Sequence, residues 1–212
     1  MAGRRKYDSS ARRADADRTR RRIVECAATL FERDGYAGTS IRRIAEAADV
    51  SPETVYAAFG TKATLLARAV DLRVEGDGEP RPLIEQPWVR DLARETTVEG
   101  RLALLVEHGM VVVERAAPLL RAVRAAALSD ATVAELLRSL EQAREQDTYH
   151  LFDLLVTDLP LRAGIDRDEA AAWFATLSSD LVLLDVVERR GLTPERHRHW
   201  IRETVRRTLF PD

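Results

Sequence analysis

Two short helical patterns joined by a two-residue turn lie within residues 39–62, and they constrain the fold of this chain more than any other segment. In the first pattern, apolar residues recur at the spacing of one helical face: Ile41, Ile44, Ala45 and Ala48. Asp49 and Val50 follow as the turn. The spacing therefore predicts a short amphipathic helix that ends in a tight turn.

The second pattern opens with a strong helix-start signal. The Ser51 hydroxyl can accept a hydrogen bond from a backbone N–H of the first turn, and Pro52 suits the first helical position, where no N–H is needed. Val55 and Phe59 lie four residues apart and are predicted to face the same core. The residues left facing outward are Pro52, Glu53, Thr54 and Tyr56. Such a pair of helices is a helix-turn-helix, whose second helix can enter the DNA major groove.

Further residues stand at fixed offsets around this motif. They are Phe31, Gly35, Tyr36, Thr39, Ser40, Ile44, Ala45, Val50, Ser51, Val55, Tyr56, Phe59, Thr61, Lys62, Leu65 and Leu66. Several such features together are more specific than any one alone. Residues 20–66 therefore resemble the N-terminal domain of TetR-type (tetracycline-repressor-like) transcriptional regulators. Beyond them, the similarity is confined to helical character and the style of the C-terminus.

This resemblance implies a set of DNA-contacting residues. They are Ser40, Arg42, Ser51, Pro52, Glu53, Thr54, Tyr56 and Lys62, with Arg43 as a further basic candidate. Arg42 and Thr54 can donate to base edges or phosphates, while Tyr56 and Lys62 suit the DNA backbone. The sequence does not decide between the two neighbouring arginines. The acidic Glu53 and the small residues Ala57 and Ala58 depart from the family pattern, so no operator sequence is predicted.

Charge is distributed unevenly along the 212 residues. Up to Glu75 there are 15 basic and 11 acidic residues, whereas the remainder has 18 basic and 24 acidic residues. Residues 1–22 alone hold nine basic and three acidic side chains. A basic arm beside a helix-turn-helix favours attraction to phosphates, and the alternative is a solvated tail without a target.

The remaining patterns predict an all-α fold, because helix-favouring residues are abundant and no convincing strand is present. The predicted helices cover residues 15–33, a stretch after Gly60 capped by Thr61, and residues 98–115, 118–128, 131–157, 167–190 and 194–209. The predicted domains are a disordered basic arm (1–14), a three-helix helix-turn-helix DNA-binding domain (15–78) and a helical ligand-binding and dimerisation domain (79–212). A Gly/Pro-rich stretch, residues 75–80, reads as the linker.

The last pair of helices indicates dimerisation. Ala170, Trp173, Leu177, Leu181 and Leu184 are predicted to share one face, and the apolar residues of 181–187 widen it to almost the full circumference. A helix that packs only in the core of one monomer needs one apolar face, so the additional apolar residues predict a second surface that contacts a partner. The TetR-type resemblance also implies a two-fold four-helix bundle here. The alternative is a purely intramolecular core.

The resemblance further implies a small-molecule pocket in the C-terminal domain. Its candidates are the polar or aromatic residues inside apolar stripes: Trp88, His108, Met110, Glu114, Tyr149, Phe152, Asp153, Trp173 and Asp180. Each has a structural alternative. Met110 and Phe152 suit a plain core, His108 can satisfy one internal hydrogen bond, and Asp180 and Asp185 can pair with Arg202 or Arg206.

Enzymatic chemistry finds little support in the sequence. Asp147, His150 and Asp153 lie along one helical face and can be imagined around a metal ion, but no phosphate loop, nucleophile motif or cysteine ligand accompanies them. His197 and His199 point to different sides of a helix. We therefore predict no catalytic residue, no metal and no cofactor.

Location follows from what the sequence does not contain. No signal peptide or membrane-length apolar run is visible, and Cys26 alone cannot form an internal disulfide, so a reducing cytoplasm is expected.

Together these patterns predict a ligand-responsive, DNA-binding homodimer, most often a repressor in the resembled family. It is expected to bind a pseudo-palindromic DNA operator and to be released by a small-molecule effector. The alternative is an architectural DNA-binding or adaptor protein without ligand control, which would bind DNA broadly and with strong salt dependence.

Overall fold

The computed structural model describes residues 9–76 and 81–211, and all regular structure within them is helical. The α-helices are α1 Ser9–Gly38, α2 Ile41–Ala47, α3 Pro52–Phe59, α4 Lys62–Glu75, α5 Pro87–Arg94, α6 Val98–Leu104, α7 Met110–Ala127, α8 Ala131–Val156, α9 Arg167–Leu177, α10 Asp180–Leu184 and α11 Pro194–Leu209. A 3₁₀ turn, Leu83–Glu85, precedes α5. The predicted all-α fold is confirmed.

Packing divides the chain into two compact units, Met1–Ala69 and Val70–Asp212, called here the N-terminal and the C-terminal unit. The division falls inside α4, before the linker that the sequence predicts. Of that linker, residues 77–80 lie outside the described residues.

The long helix α1 starts and ends differently from its prediction. It begins at Ser9 instead of near Asp15, so the part of the predicted basic arm that lies outside the described residues is 1–8. The expected break is present at Gly35, whose φ of 72° interrupts the helix before one further turn. Glycine accepts this left-handed conformation without the steric cost that a Cβ brings.

Apolar faces of four helices form the core of the N-terminal unit. The side chains that are fully buried there are Ile23, Ala27, Ala28, Phe31, Ile44, Ala45, Ala48, Val55, Leu65, Leu66 and Ala69. They include most of the predicted inward faces of α1 and α2. Cys26 of α1 is not fully enclosed in this core: its side chain is partly exposed, and its Sγ lies 3.4 Å from the Ala47 carbonyl oxygen.

Three predictions for the C-terminal unit are wrong. The sequence did not predict α5, which buries Trp88, Val89 and Leu92. Pro118 does not begin a new helix but lies inside α7, because its buried neighbours Ala117 and Leu119 hold the helix together despite one missing hydrogen bond. A π-helical turn, Leu105–Gly109, joins α6 to α7 where one regular helix was expected.

A fourth wrong prediction concerns residues 167–190, which do not form one helix. Serines break it, since Ser178 Oγ donates to the Phe174 carbonyl (2.7 Å) and Ser179 Oγ accepts from the Val182 N–H (3.2 Å). Such local bonds compete with the helical ladder. The chain bends by 41° between Arg167–Leu177 and Asp180–Arg189.

In the described part of the chain no single helix is long and apolar enough to cross a membrane, although this bent pair meets that test by length and composition.

One buried arginine ties helices of the C-terminal unit together. Arg101 on α6 is 5% exposed, and its guanidinium donates to the carbonyl oxygens of Glu95, Leu155 and Thr157. Two of these acceptors stand at the C-terminal end of α8, where carbonyls have no helical partner. Arg101 therefore caps α8 from within an otherwise apolar core.

Candidate nucleic-acid interface

Side-chain caps hold the two helices of the motif in place. Ser40 Oγ accepts from the Arg43 N–H at 3.2 Å, and Ser51 Oγ accepts from the Thr54 N–H at 3.3 Å. Between them, Asp49 takes a φ of 51°, which turns the chain tightly after α2. Each cap satisfies a backbone donor that a short helix otherwise leaves without a partner. The predicted helix start at Ser51 and the predicted turn are confirmed, and Ser40 caps α2 in the same way.

The second helix of the motif, α3, presents a polar face away from the core. Val55 is fully buried, whereas Ser51, Glu53, Thr54 and Tyr56 are exposed, with Tyr56 55% exposed. Pro52 is half-buried at the start of the helix. The helix is thus anchored by one apolar residue and offers the side chains that the sequence assigned to DNA.

Glu53 is an ionised carboxylate at the start of α3. Its own backbone N–H and the Ser51 hydroxyl donate to it, and these bonds hold the pKa of Glu53 below its usual value of 4.5. A negative charge at a helix N-terminus is favourable. The same charge repels phosphate and can accept from a cytosine amine.

The structure separates the two arginines of α2. Arg42 is 82% exposed, and its guanidinium meets Glu46 of the same helix at 3.0 Å. Arg43 instead donates to the Gly38 carbonyl and to the Asp34 carboxylate, both at 2.8 Å on α1. The hydrogen bond from Arg33, with further attraction to Arg43, lowers the pKa of Asp34 to about 2. Arg43 is therefore held against α1, while Arg42 projects outward.

Lys62 lies half-buried at the start of α4. Its Nζ donates to the carbonyl oxygens of Tyr36 (2.9 Å) and Thr39 (3.1 Å) and stands 3.9 Å from the centre of the Tyr36 ring. These acceptors belong to the end of α1 and the loop before α2. Lys62 thus joins α4 to that corner, a role that the sequence did not suggest.

Arg20 on α1 also makes contacts that the sequence did not predict. Its guanidinium donates to the Ala58 carbonyl at 2.6 Å and lies 5.3 Å from the centre of the Phe59 ring. Phe59 is consequently half-buried beneath Arg20 instead of fully enclosed in the core. No periodicity links residues 38 positions apart, so sequence reasoning had no signal for this contact.

The nine predicted pocket residues of the C-terminal unit do not share one environment. Trp88, Met110, Phe152 and Asp180 are buried, Glu114 is half-buried, and His108, Tyr149, Asp153 and Trp173 are exposed. Trp88 and His108 do come together, with ring centres 5.8 Å apart.

Three of the polar candidates, Asp180, Glu114 and Asp153, form ion pairs with other helices. Arg124 on α7 binds the buried Asp180 at 2.5 and 3.1 Å, and Arg198 on α11 binds Glu114 at 2.6 and 2.7 Å.

The predicted pairing of Asp180 and Asp185 with the last helix is wrong. Asp180 pairs with Arg124, and Asp185 pairs with Arg189 and Arg190 close by in the chain. Arg202 and Arg206 both bind Glu99 of α6 instead. The bend after α9 removes the helical register on which the prediction rested.

His197 on α11 is a buried polar residue that the sequence did not place in the core. Its side chain is 0% exposed, and neither ring nitrogen has a hydrogen-bond partner among the described residues. Burial, together with the neighbouring Arg198 charge, lowers the pKa of His197 from 6.5. The imidazole is therefore a neutral group inside the C-terminal unit.

The three residues that the sequence suggested around a metal ion, Asp147, His150 and Asp153, have different surroundings in the structure. Burial raises the pKa of Asp147, while His150 is exposed and Asp153 binds Arg167 at 2.5 Å. Within the described residues, no three His, Cys, Asp or Glu side chains are arranged to hold a metal ion.

Comparison with known proteins identifies the motif. Residues 23–69 match the model of the family described as bacterial regulatory proteins, tetR family. This range contains α2, α3 and the buried face of α1. The predicted resemblance to TetR-type regulators is thereby confirmed for the helix-turn-helix domain. No curated protein sequence matches the chain.

Solved structures share the fold along most of the chain. A protein of Saccharomonospora viridis described as a transcriptional regulator, in complex with choline, is 20% identical, with a TM-score of 0.69 over 92% of this chain and 100% of that one. A Mesorhizobium loti protein described as a TetR-family regulator is 23% identical, with a TM-score of 0.65 over 90% and 94%. NalD of Pseudomonas aeruginosa, the secondary repressor of the MexAB-OprM multidrug efflux pump, is 21% identical, with a TM-score of 0.67 over 93% and 100%.

Proposed function

We propose that this chain, whose residues 23–69 form a helix-turn-helix domain of the tetR family, is a transcriptional regulator that binds a pseudo-palindromic operator as a homodimer and is released from it by a small molecule. The observation that carries the proposal is α3. It is capped at both ends, anchored by the buried Val55 and exposed along the face that holds Glu53, Thr54 and Tyr56.

The chemistry of that face suits a major groove. Thr54 can donate to or accept from a base edge, Tyr56 can donate to a phosphate, and the outward Arg42 on α2 adds a cation beside them. Arg43 donates to Gly38 and Asp34 of α1, and Lys62 donates to the carbonyls of Tyr36 and Thr39, so we assign both chiefly to holding the helices in position. The chain is expected to act in the cytoplasm, where its DNA target lies.

Dimerisation is supported by apolar side chains that the C-terminal unit leaves exposed. Trp173 on α9, Leu181 on α10 and Trp200 on α11 are 38%, 57% and 39% exposed. They lie on the helices that the sequence assigned to a two-fold bundle. Covering them with a second copy would remove this apolar area from water, and two copies of α3 would then read two half-sites about one DNA turn apart.

Ligand control is supported by the C-terminal unit and by one relative. The unit is a largely apolar helical body with a few polar groups inside it, Asp180, Arg101 and His197. The Saccharomonospora viridis protein of similar fold is in complex with choline, and we extend from it only the capacity of this fold to hold a small molecule. An effector would favour a state of the dimer whose two α3 helices no longer match successive major grooves.

Selection of duplexes from a random DNA pool tests the proposal, followed by a screen for compounds that release the selected duplex. We expect one palindromic sequence with half-sites about one helical turn apart and at least one compound that lowers affinity for it. The control is a duplex with the same composition and a scrambled sequence.

The second candidate, an architectural DNA-binding protein, predicts a different result. It would enrich no palindrome, bind the scrambled duplex equally well and lose affinity steeply with salt. The exposed polar face of α3 favours the regulator, because a shape-reading protein has no need of a capped helix that presents base-edge donors and acceptors. Enrichment of no sequence would reject the regulator.

A further inference from the structure

Arg20 connects α1 to the C-terminal end of α3, the helix proposed to enter the major groove and called here the recognition helix. Its guanidinium donates to the carbonyl oxygen of Ala58 at 2.6 Å and covers the Phe59 ring at 5.3 Å. Ala58 and Phe59 are the last two residues of α3, and α1 supplies Arg20 from 38 positions earlier in the chain. The contact therefore joins two elements that no sequence pattern associates.

The place of this contact matters for an eight-residue helix. The last four carbonyls of any helix have no partner within it, and they form the negative end of its dipole. In α3 the Gly60 N–H bonds to the Tyr56 carbonyl, the Thr61 N–H bonds to the Phe59 carbonyl, and Arg20 bonds to the Ala58 carbonyl. A cation at this end both satisfies an acceptor and matches the dipole.

Arg20 suits this role better than a lysine or a neutral donor would. A guanidinium can bond to a carbonyl in its plane while its face lies on an aromatic ring, and the two contacts restrain Ala58 and Phe59 together. At the other end of the helix, the Ser51 cap already fixes the start of α3. The recognition helix is thus held at its N-terminal end by the Ser51 cap and at its C-terminal end by the contacts of Arg20 with Ala58 and Phe59, which we call the clamp.

We infer that Arg20 is a positioning residue for DNA recognition, which sets the orientation of α3 through its C-terminal end, and not a phosphate contact. The inference rests on the proposed function, since it assigns α3 to the operator. Without the clamp, the exposed side chains of α3 would sample more orientations. Binding to the operator would weaken, while the attraction of the domain to DNA of any sequence would change only by the loss of one charge.

A matched pair of variants tests this inference. Arg20→Met removes the guanidinium from the clamp. Arg21→Met is the control, because it removes the same charge one residue later. In the described part of the chain the Arg21 guanidinium binds Glu25 of its own helix at 3.0 Å and makes no contact with α3. Affinity for the selected palindrome and for a scrambled duplex is measured at several salt concentrations. Thermal unfolding of each variant confirms that it is folded.

We expect Arg20→Met to lose roughly tenfold in affinity for the palindrome, as for a lost hydrogen bond to a charged group, and Arg21→Met to lose much less. Both variants should bind the scrambled duplex almost equally. The inference is overturned if the two variants bind the palindrome alike. It is also overturned if Arg20→Met lowers the affinity for both duplexes by the same factor and reduces the slope of log affinity against log salt concentration by about 0.9. Such a change is the mark of a lost phosphate contact.

Amide hydrogen exchange without DNA separates this inference from the proposed function. The Gly60 N–H, which bonds to the Tyr56 carbonyl at 2.8 Å, should exchange faster in Arg20→Met than in Arg21→Met. If the wild-type protein selects no palindrome, the proposed function fails while this comparison still tests the clamp. If the wild type selects a palindrome but Gly60 exchanges equally in both variants, the clamp alone is rejected.

Discussion

At the scale of single residues, His197 is the clearest case of a polar group placed at a cost. Its buried imidazole finds no hydrogen-bond partner in the part of the chain that the structure describes, and it loses the water that solvates it in the unfolded chain. This loss disfavours the charged form, so the pKa of the folded imidazole lies below its usual 6.5. Below 6.5 the unfolded chain binds a proton that the folded protein does not, and the folded state therefore becomes less stable as the pH falls.

Replacing His197 should remove this pH dependence. We expect the free energy of unfolding of the wild type to fall between about pH 7 and about pH 5, and His197→Leu to show a smaller fall. Near neutral pH the substitution should be neutral or stabilising, since it removes buried atoms without partners. Chemical denaturation at a series of pH values measures both effects.

His199→Leu is the matched control, because His199 lies two residues away on the same helix and is exposed. It should keep the wild-type pH dependence. An identical pH dependence in wild type and His197→Leu would contradict the argument.

At the scale of elements, the two predicted backbone contacts of the helix-turn-helix differ in what surrounds them. Tyr56 projects from α3 and is 55% exposed, so its loss removes little packing. Lys62 donates to the Tyr36 carbonyl at the end of α1 and to the Thr39 carbonyl in the following loop, and it lies over the Tyr36 ring, so its loss also opens the corner between α1 and α4. Tyr56 therefore lies on the surface of the motif, whereas Lys62 helps to hold its helices together.

Alanine substitution should separate these two roles. Tyr56→Ala is expected to weaken DNA binding at every site while leaving the free energy of unfolding nearly unchanged. Lys62→Ala should weaken binding and also destabilise the protein by about 1–2 kcal/mol, because two partly buried carbonyls lose a charged donor. Gel-shift titrations and denaturant unfolding of both variants give the comparison. Equal stability of the two variants would show that the Lys62 contacts do not hold the corner.

At the scale of the whole molecule, the proposed dimer depends on the exposed apolar side chains of α9, α10 and α11. Leu181 is 57% exposed on α10, within the predicted dimer helices. Leu128 is 91% exposed in the turn between α7 and α8, outside those helices. The two leucines thus provide a test site and a control for the same chemical change.

Leu181→Glu should dissociate the dimer, since a charge in an apolar interface must be desolvated without a partner. Leu128→Glu should leave the dimer intact. Analytical ultracentrifugation at micromolar concentration measures both, and the monomeric variant should also lose affinity for the palindrome, because one half-site no longer helps the other. A wild-type protein that sediments as a monomer would contradict the dimer, and so would a Leu181→Glu variant that remains dimeric.

The helix-turn-helix could be predicted because its signals are local. Ser40 and Ser51 cap helices by bonding to N–H groups three residues away, and Ile44, Ala45 and Val55 recur within a few turns. These signals lie within one or two helical turns, so they can be recognised in the sequence without knowing how the rest of the chain packs. The helical class, the start of α8 at Asp130 and the start of α11 at Thr193 follow for the same reason.

Only the tertiary structure decided which distant side chains meet. Asp180 binds Arg124, which is 56 residues away, and not the arginines of α11, and Arg20 reaches the end of α3 across 38 residues. The bend at Ser178 and Ser179 also depends on the choice between a helical ladder and local side-chain bonds, which packing settles. Caps and periodicity act over one helical turn, whereas these contacts depend on how whole helices pack, and no short-range pattern in the chain encodes that.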